Sequence, residues 1–201
     1  MSYANLVRLG GLAAMVGGVV YGGVGLVEER LAEYLYYVDS IGYGFIAILL
    51  PVGAMAAIVS LHALQRERYG RVGAAASLTA FVGLALATGV LTVGVVSSPP
   101  NVDLLFMWLV IGLLIATVGI VLLGIMTTAT EVLPWWCGVA LFIGGSPLSV
   151  FATMIPSAAA EEAFPLGTVV QALGGVPWVV VGFAVFRAAR RRTEQPTRRV
   201  R

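Results

Sequence analysis

Side chains that could do chemistry are few in this chain, and those within its long apolar runs are neutral. Gln171 is the most polar of them, and Ser149 lies at about the same depth when both are counted back from the loop between them. Tyr21, Thr88, Thr92, Ser146 and Thr153 fall at or beyond mid-depth towards that same side. Facing one another, these seven groups would line a small uncharged pocket able to hydrogen-bond a ligand. Singly they would serve as hydrogen bonds between helices, each worth about a kcal/mol or less.

Backbone breaks are the other possible source of chemistry. Gly144-Gly145-Ser146-Pro147 and Gly174-Gly175-Val176-Pro177 interrupt two apolar runs near their centres, and Pro51 interrupts a third. Proline removes a backbone donor and clashes with the preceding turn, while glycine lowers the cost of a bend. Broken helices at mid-depth free carbonyls and amides that transporters use to hold substrates. The same residues also kink helices merely to pack them.

What is missing narrows the choice further. All twelve basic residues are arginine, so no lysine can form a Schiff base to retinal or pyridoxal phosphate. The single cysteine, Cys137, excludes an internal disulfide and a Cys-x-x-Cys redox pair. The single histidine, His62, excludes a bis-histidine haem and most zinc sites. No charged residue falls deep in an apolar run, where proton relays and ion paths need one, and a voltage sensor is excluded. Ser146 has no nearby base, because His62 belongs to the opposite end of its own apolar run. Gln65, Arg66, Glu67 and Arg68 beside His62 would form a polar end there. The reading expects no catalytic residue, no metal and no cofactor.

The elements that must hold these residues are membrane helices. The 201 residues are 59% hydrophobic and 11% charged, whereas soluble domains are about a quarter charged. Six apolar stretches predict spans at about 6–27, 41–64, 72–96, 103–130, 135–155 and 165–187. Residues 1–187 form one all-α domain, followed by a basic tail at 188–201. The polar segments between spans alternate in sign. One set carries Arg8, Arg66, Arg68, Arg71, Arg187, Arg190, Arg191, Arg192, Arg198, Arg199 and Arg201 against Glu67, Glu131 and Glu194. The other carries Glu28, Glu29, Glu33, Asp39, Asp103, Glu161 and Glu162 against Arg30 alone. Arginine excess marks the cytoplasmic side, so both termini are expected inside.

Small residues recur every four positions, at Gly10, Ala14, Gly18 and Gly22 and again at Ala75, Thr79, Gly83 and Ala87. Such ridges let helices approach closely in lipid. Residues 28–39 read either as an interfacial amphipathic helix or as an extension of the first span. Arg8-Leu9-Gly10, Arg71-Val72-Gly73 and Trp136-Cys137-Gly138 open three helices that run in one direction, which suggests three tandem helical hairpins.

Leu133-Pro134-Trp135-Trp136-Cys137-Gly138 resembles the L-P-x-x-x-G turn of uncharacterised small six-span bacterial membrane proteins. Leu61-His62-Ala63-Leu64, followed by Tyr69-Gly70-Arg71-Val72-Gly73, adds to that resemblance. It implies a bacterial inner-membrane protein and brings no active site with it. The expected function is non-enzymatic: a scaffold, an accessory subunit, or a bundle that binds lipid or a small molecule. A transporter or exporter of a neutral or amphipathic solute is the alternative, and an intramembrane enzyme comes third. Membrane lipids are the expected partners, with anionic lipids at the arginine-rich face. A second copy or a partner membrane subunit fits the small-residue ridges, and nucleic acid does not fit an arginine tail beside a membrane.

Overall fold

A computed structural model describes residues 3–35, 40–96, 102–145 and 166–194. The described residues are helical except for one turn, and they contain no strand. The helices are α1 (Tyr3–Leu35), α2 (Ser40–Val96), α3 (Val102–Thr130), α4 (Trp135–Gly144) and α5 (Leu166–Glu194). Among the described residues, three segments are long and apolar enough to cross a membrane: Tyr3–Gly23, Ile48–Gly94 and Asp103–Thr130.

α1 continues without a break to Leu35. Residues 28–35 therefore extend the first helix; residues 36–39 lie outside the described set. α2 is two arms joined at Gly70, whose φ of 60° and ψ of −148° are non-helical. That backbone region is essentially restricted to glycine. The expected loop at 65–71 is thus reduced to a single-residue bend. Gln65, Arg66, Glu67 and Arg68 favour helix and extend the first arm through Tyr69. Likewise α5 runs past Arg187 to Glu194, so the basic tail begins as helix.

Helix neighbours form a closed ring. α1 packs on the first arm of α2, and the second arm packs on α3. α3 then packs on α4, α4 on α5, and α5 returns to α1. Each of these contacts is antiparallel, as the residue pairs across them show. Gly17 of α1 meets Leu49, while Gly10 meets Ala56 and Ser60. Gly18 meets Gly175 of α5, and Gly11 meets Gly182 and Phe186. Gly83 and Ala87 of the second arm meet Ala116 and Gly112 of α3.

The predicted four-residue ridges are sorted differently in the structure. On α1, Gly10 and Gly17 face α2, whereas Gly11 and Gly18 face α5. Spacing of seven keeps a contact on one side of a helix, and spacing of four drifts around it. On the second arm of α2 the buried line is Ala76, Ala80, Gly83 and Ala87, and Ala75 is exposed. Leu6, Leu9, Leu12, Val16 and Val19 of α1 point outward and are exposed. On α1 the glycines and Ala14 lie inward and most large apolar residues outward, Val7 excepted, the arrangement expected of a helix that meets lipid.

Two substitutions test this packing. Gly70→Ala forces alanine into a left-handed conformation and should cost about 1–3 kcal/mol, read as a lowered unfolding midpoint in detergent. Gly18→Leu should separate α1 from α5 and lower the midpoint further, because even a Cβ there would sit 2.6 Å from the Gly175 carbonyl oxygen.

Candidate functional site

Two sites are built where these helices meet. The first is a partly open cavity of about 270 Å³ bordered by residues of all five helices. Pro51 and Ala54 of α2 contribute one wall, Leu84 and Ala87 of its second arm another. Ala116, Thr117 and Ile120 of α3 complete the far side. Gly144, Gly145, Gly174 and Trp178 border it from α4 and α5, and Tyr21 from α1. Its surface is mostly aliphatic and aromatic, with Tyr21, Thr117 and Trp178 as the polar-tipped exceptions.

The void has a local cause. Alanines at 54, 87 and 116 bring the helix backbones together without filling the centre. Gly145 lets α4 approach Ile120, and Gly144 lies against Pro177 and the Trp178 indole. Trp178 is buried among these residues.

Among the residues singled out by sequence, Tyr21, Pro51, Gly144, Gly145 and Gly174 border this cavity. Gly175 serves the contact with Gly18 and Gly22, and Pro177 supports Gly144. Thr88 and Thr92 do not line the cavity. Their hydroxyls donate to their own helix, at Leu84 O (2.7 Å) and Thr88 O (2.8 Å). Ser146, Pro147, Ser149 and Thr153 lie outside the described residues. Gln171 lies on α5, but its side chain is also outside them. Thr117, Trp178 and the three alanines were not legible as site residues. Only the neighbouring Gly174–Pro177 break marked the region of Trp178.

The second site is the polar end of the bundle. Tyr69 is buried at the α2 bend, 2.7 Å from His62 Nδ1 and 3.1 Å from Ser77 Oγ. Ser77 donates its own proton to Gly73 O at 2.9 Å. Tyr69 has one proton, so the self-consistent arrangement runs in one direction. His62 Nδ1–H donates to Tyr69, Tyr69 to Ser77, and Ser77 to Gly73. In that order Nδ1 of His62 carries a proton.

Beside this relay, Gln65 is fully buried and accepts a 3.2 Å bond from Thr127 Oγ1, while its Nε2 has no partner among the described residues. Arg68 Nη1 donates to Thr130 O at 3.3 Å, which serves an otherwise open carbonyl at the end of α3. Tyr3 donates to Ala63 O from α1. The burial of Gln65 was in principle readable, since it continues the Ile58, Leu61 face at i+3 and i+7.

A cleft of about 390 Å³ opens at this end, bordered by Arg68, Glu131, Trp136, Arg187 and Arg191. Arg8 stacks near Phe186, 5.3 Å from the ring centre, so the first helix brings its arginine to the same end. Among the described residues, no group of three His, Cys, Asp or Glu side chains could hold a metal. Comparison with protein-family models, curated proteins and solved structures finds none that matches this chain.

The hydrogen-bond relay makes a stability prediction. Tyr69→Phe removes both of its links and should cost about 1–3 kcal/mol through the groups left unpaired. Gln65→Met removes a buried unpaired amide at similar volume and should leave the unfolding midpoint unchanged or higher. Thermal unfolding in one detergent compares the two directly.

Proposed function

We propose that this chain is a six-span integral membrane protein of the bacterial inner membrane with both termini inside, and that its bundle binds an apolar or amphipathic small molecule. The observation that carries the binding reading is the internal cavity walled by Pro51, Ala54, Ala87, Thr117 and Trp178. At about 270 Å³ it falls just below the roughly 300–1,000 Å³ of ordinary ligand pockets. That size suits a segment of acyl chain or a compact apolar solute rather than a whole lipid. Tyr21, Thr117 and the Trp178 indole supply the few polar contacts that would orient such a ligand.

The span count is supported by the two arms of α2, which are antiparallel to different neighbours, and by the pairing of α4 with α5. It is also supported by the arginine pattern, because arginine-rich short segments stay in the cytoplasm. Three tandem hairpins, suggested by the openings Arg8-Leu9-Gly10, Arg71-Val72-Gly73 and Trp136-Cys137-Gly138, are compatible with these pairings. No catalytic constellation enters this reading, and a binding or accessory role follows from it.

A solute transporter is the second reading, favoured by one feature: Pro51, Gly144, Gly145 and Gly174, the residues expected to break helices, all border the cavity, although α2 and α5 run on through Pro51 and Gly174. It requires that liposome uptake of a neutral solute be impaired by Pro177→Ala or Gln171→Leu.

Binding is tested by filling the void. With Trp108, Trp135 and Trp136 replaced by Phe, a brominated short-chain fatty acid should quench the fluorescence of Trp178. Ala54→Phe should abolish the quenching while leaving the unfolding midpoint unchanged or raised. Equal quenching in both proteins would sink the cavity as the binding site. Orientation is tested in a Cys137→Ser background: Arg30→Cys should react with an impermeant thiol reagent from outside intact cells, and Arg190→Cys should not.

A further inference from the structure

We propose that the cleft at the polar end of the bundle is a binding site for a phosphate ester, taken from the headgroup of an anionic phospholipid. The cleft lies between the end of the first arm of α2, the α3–α4 turn and the last turns of α5, with a volume of about 390 Å³. Arg68, Arg187 and Arg191 border it against Glu67 and Glu131, which leaves a net positive lining.

The arginines are arranged for a shared ligand. Arg187 and Arg191 are four residues apart and so project from one side of α5. Ala184 and Ala188 between and before them keep the wall low. Arg190, one residue before Arg191, does not border the cleft. Arg68 comes from another helix and is held by its bond to Thr130 O. A guanidinium carries five N–H donors, so this anchored arginine retains donors for a ligand. Arg187 and Arg191 form no ion pair among the described residues, although two carboxylates share the same cleft. Guanidinium groups bind phosphate oxygens in paired, planar geometry.

The cleft also has an apolar margin. Leu64, Leu133, Pro134 and Trp136 border it, and the adjacent Trp135 is 69% exposed. Tryptophans of this kind sit at headgroup depth. A phosphate held by the arginines would therefore have glycerol and the first chain carbons beside an apolar wall. This favours a lipid headgroup over a soluble phosphate ester, though both present phosphate oxygens to the guanidinium groups. The inference rests on the membrane reading above but not on an occupied internal cavity.

The full chain in detergent is titrated with phosphatidylglycerol, with phosphatidylcholine and with soluble glycerol phosphate, and bound molecules are counted by native mass spectrometry. Phosphatidylglycerol should bind in preference to phosphatidylcholine. Arg187→Gln and Arg191→Gln should each weaken it about tenfold, the loss expected for one charge-assisted contact. Glu131→Gln, which removes a repelling charge, should tighten it, and Arg190→Gln should leave it unchanged. Binding of glycerol phosphate without phosphatidylglycerol would keep the site and reassign its source to a soluble ester. Equal weakening by Arg190→Gln and Arg191→Gln would mean that surface charge alone attracts the lipid, and the site would be rejected. Retention of headgroup binding by Ala54→Phe separates this result from the fate of the internal cavity.

Discussion

Where α1 meets α5, the backbone at Gly18 comes so near the Gly175 carbonyl that a Cβ would lie 2.6 Å from the oxygen. Similar approaches join Gly53 to Ala13 and Gly112 to Ala87. Lipid offers no hydrophobic reward for bringing two apolar helices together, because the tails are as apolar as leucine. Close contact has to supply the attraction instead, through many weak dispersion terms that fall off within an ångström. That requirement explains why the helices carry small residues inward. It also sets the interaxial distances on which every other feature depends.

The cavity is a by-product of the same constraint. Alanines at the centre of the ring permit close backbones at its rim but leave its middle underfilled. Pro51, Gly144, Gly145 and Gly174 border the remaining space. An empty apolar volume costs stability because its lining loses contacts on one side. The small side chains that bring the helices together thus also set the size of the cavity. The polar end follows a different logic. There Tyr69, Ser77, His62 and Arg68 satisfy the bend in α2 and the end of α3, where helix ends leave backbone groups open.

Much of this was legible in the sequence because a membrane leaves the backbone few options. Long apolar runs must be helices that satisfy their own hydrogen bonds, and α3 appears with nearly the expected bounds, whereas α1 runs on to Leu35. The α2 bend was harder. Its charged residues suggested a loop, but glutamine, arginine and glutamate are good helix formers, and a single glycine turns the chain. Pocket residues were hardest of all. Polarity drew attention to Thr88 and Thr92, whose hydroxyls are satisfied by their own helix. The cavity is bordered mainly by alanine, leucine and glycine, whose types look alike whether they fill space or leave it. Only tertiary geometry distinguishes the two cases.

The ring of helices closes between the first helix and the last. During synthesis α1 leaves the ribosome long before α5, and its Gly11 and Gly18 face then has no partner. That face must wait in the bilayer until residues 166–194 arrive. Closure of the ring is therefore gated by the arrival of α5 rather than completed pair by pair. A chain interrupted before α5 would display an open glycine groove that a separately made final helix could enter. The seam between α1 and α5 is in this sense the latch of the molecule.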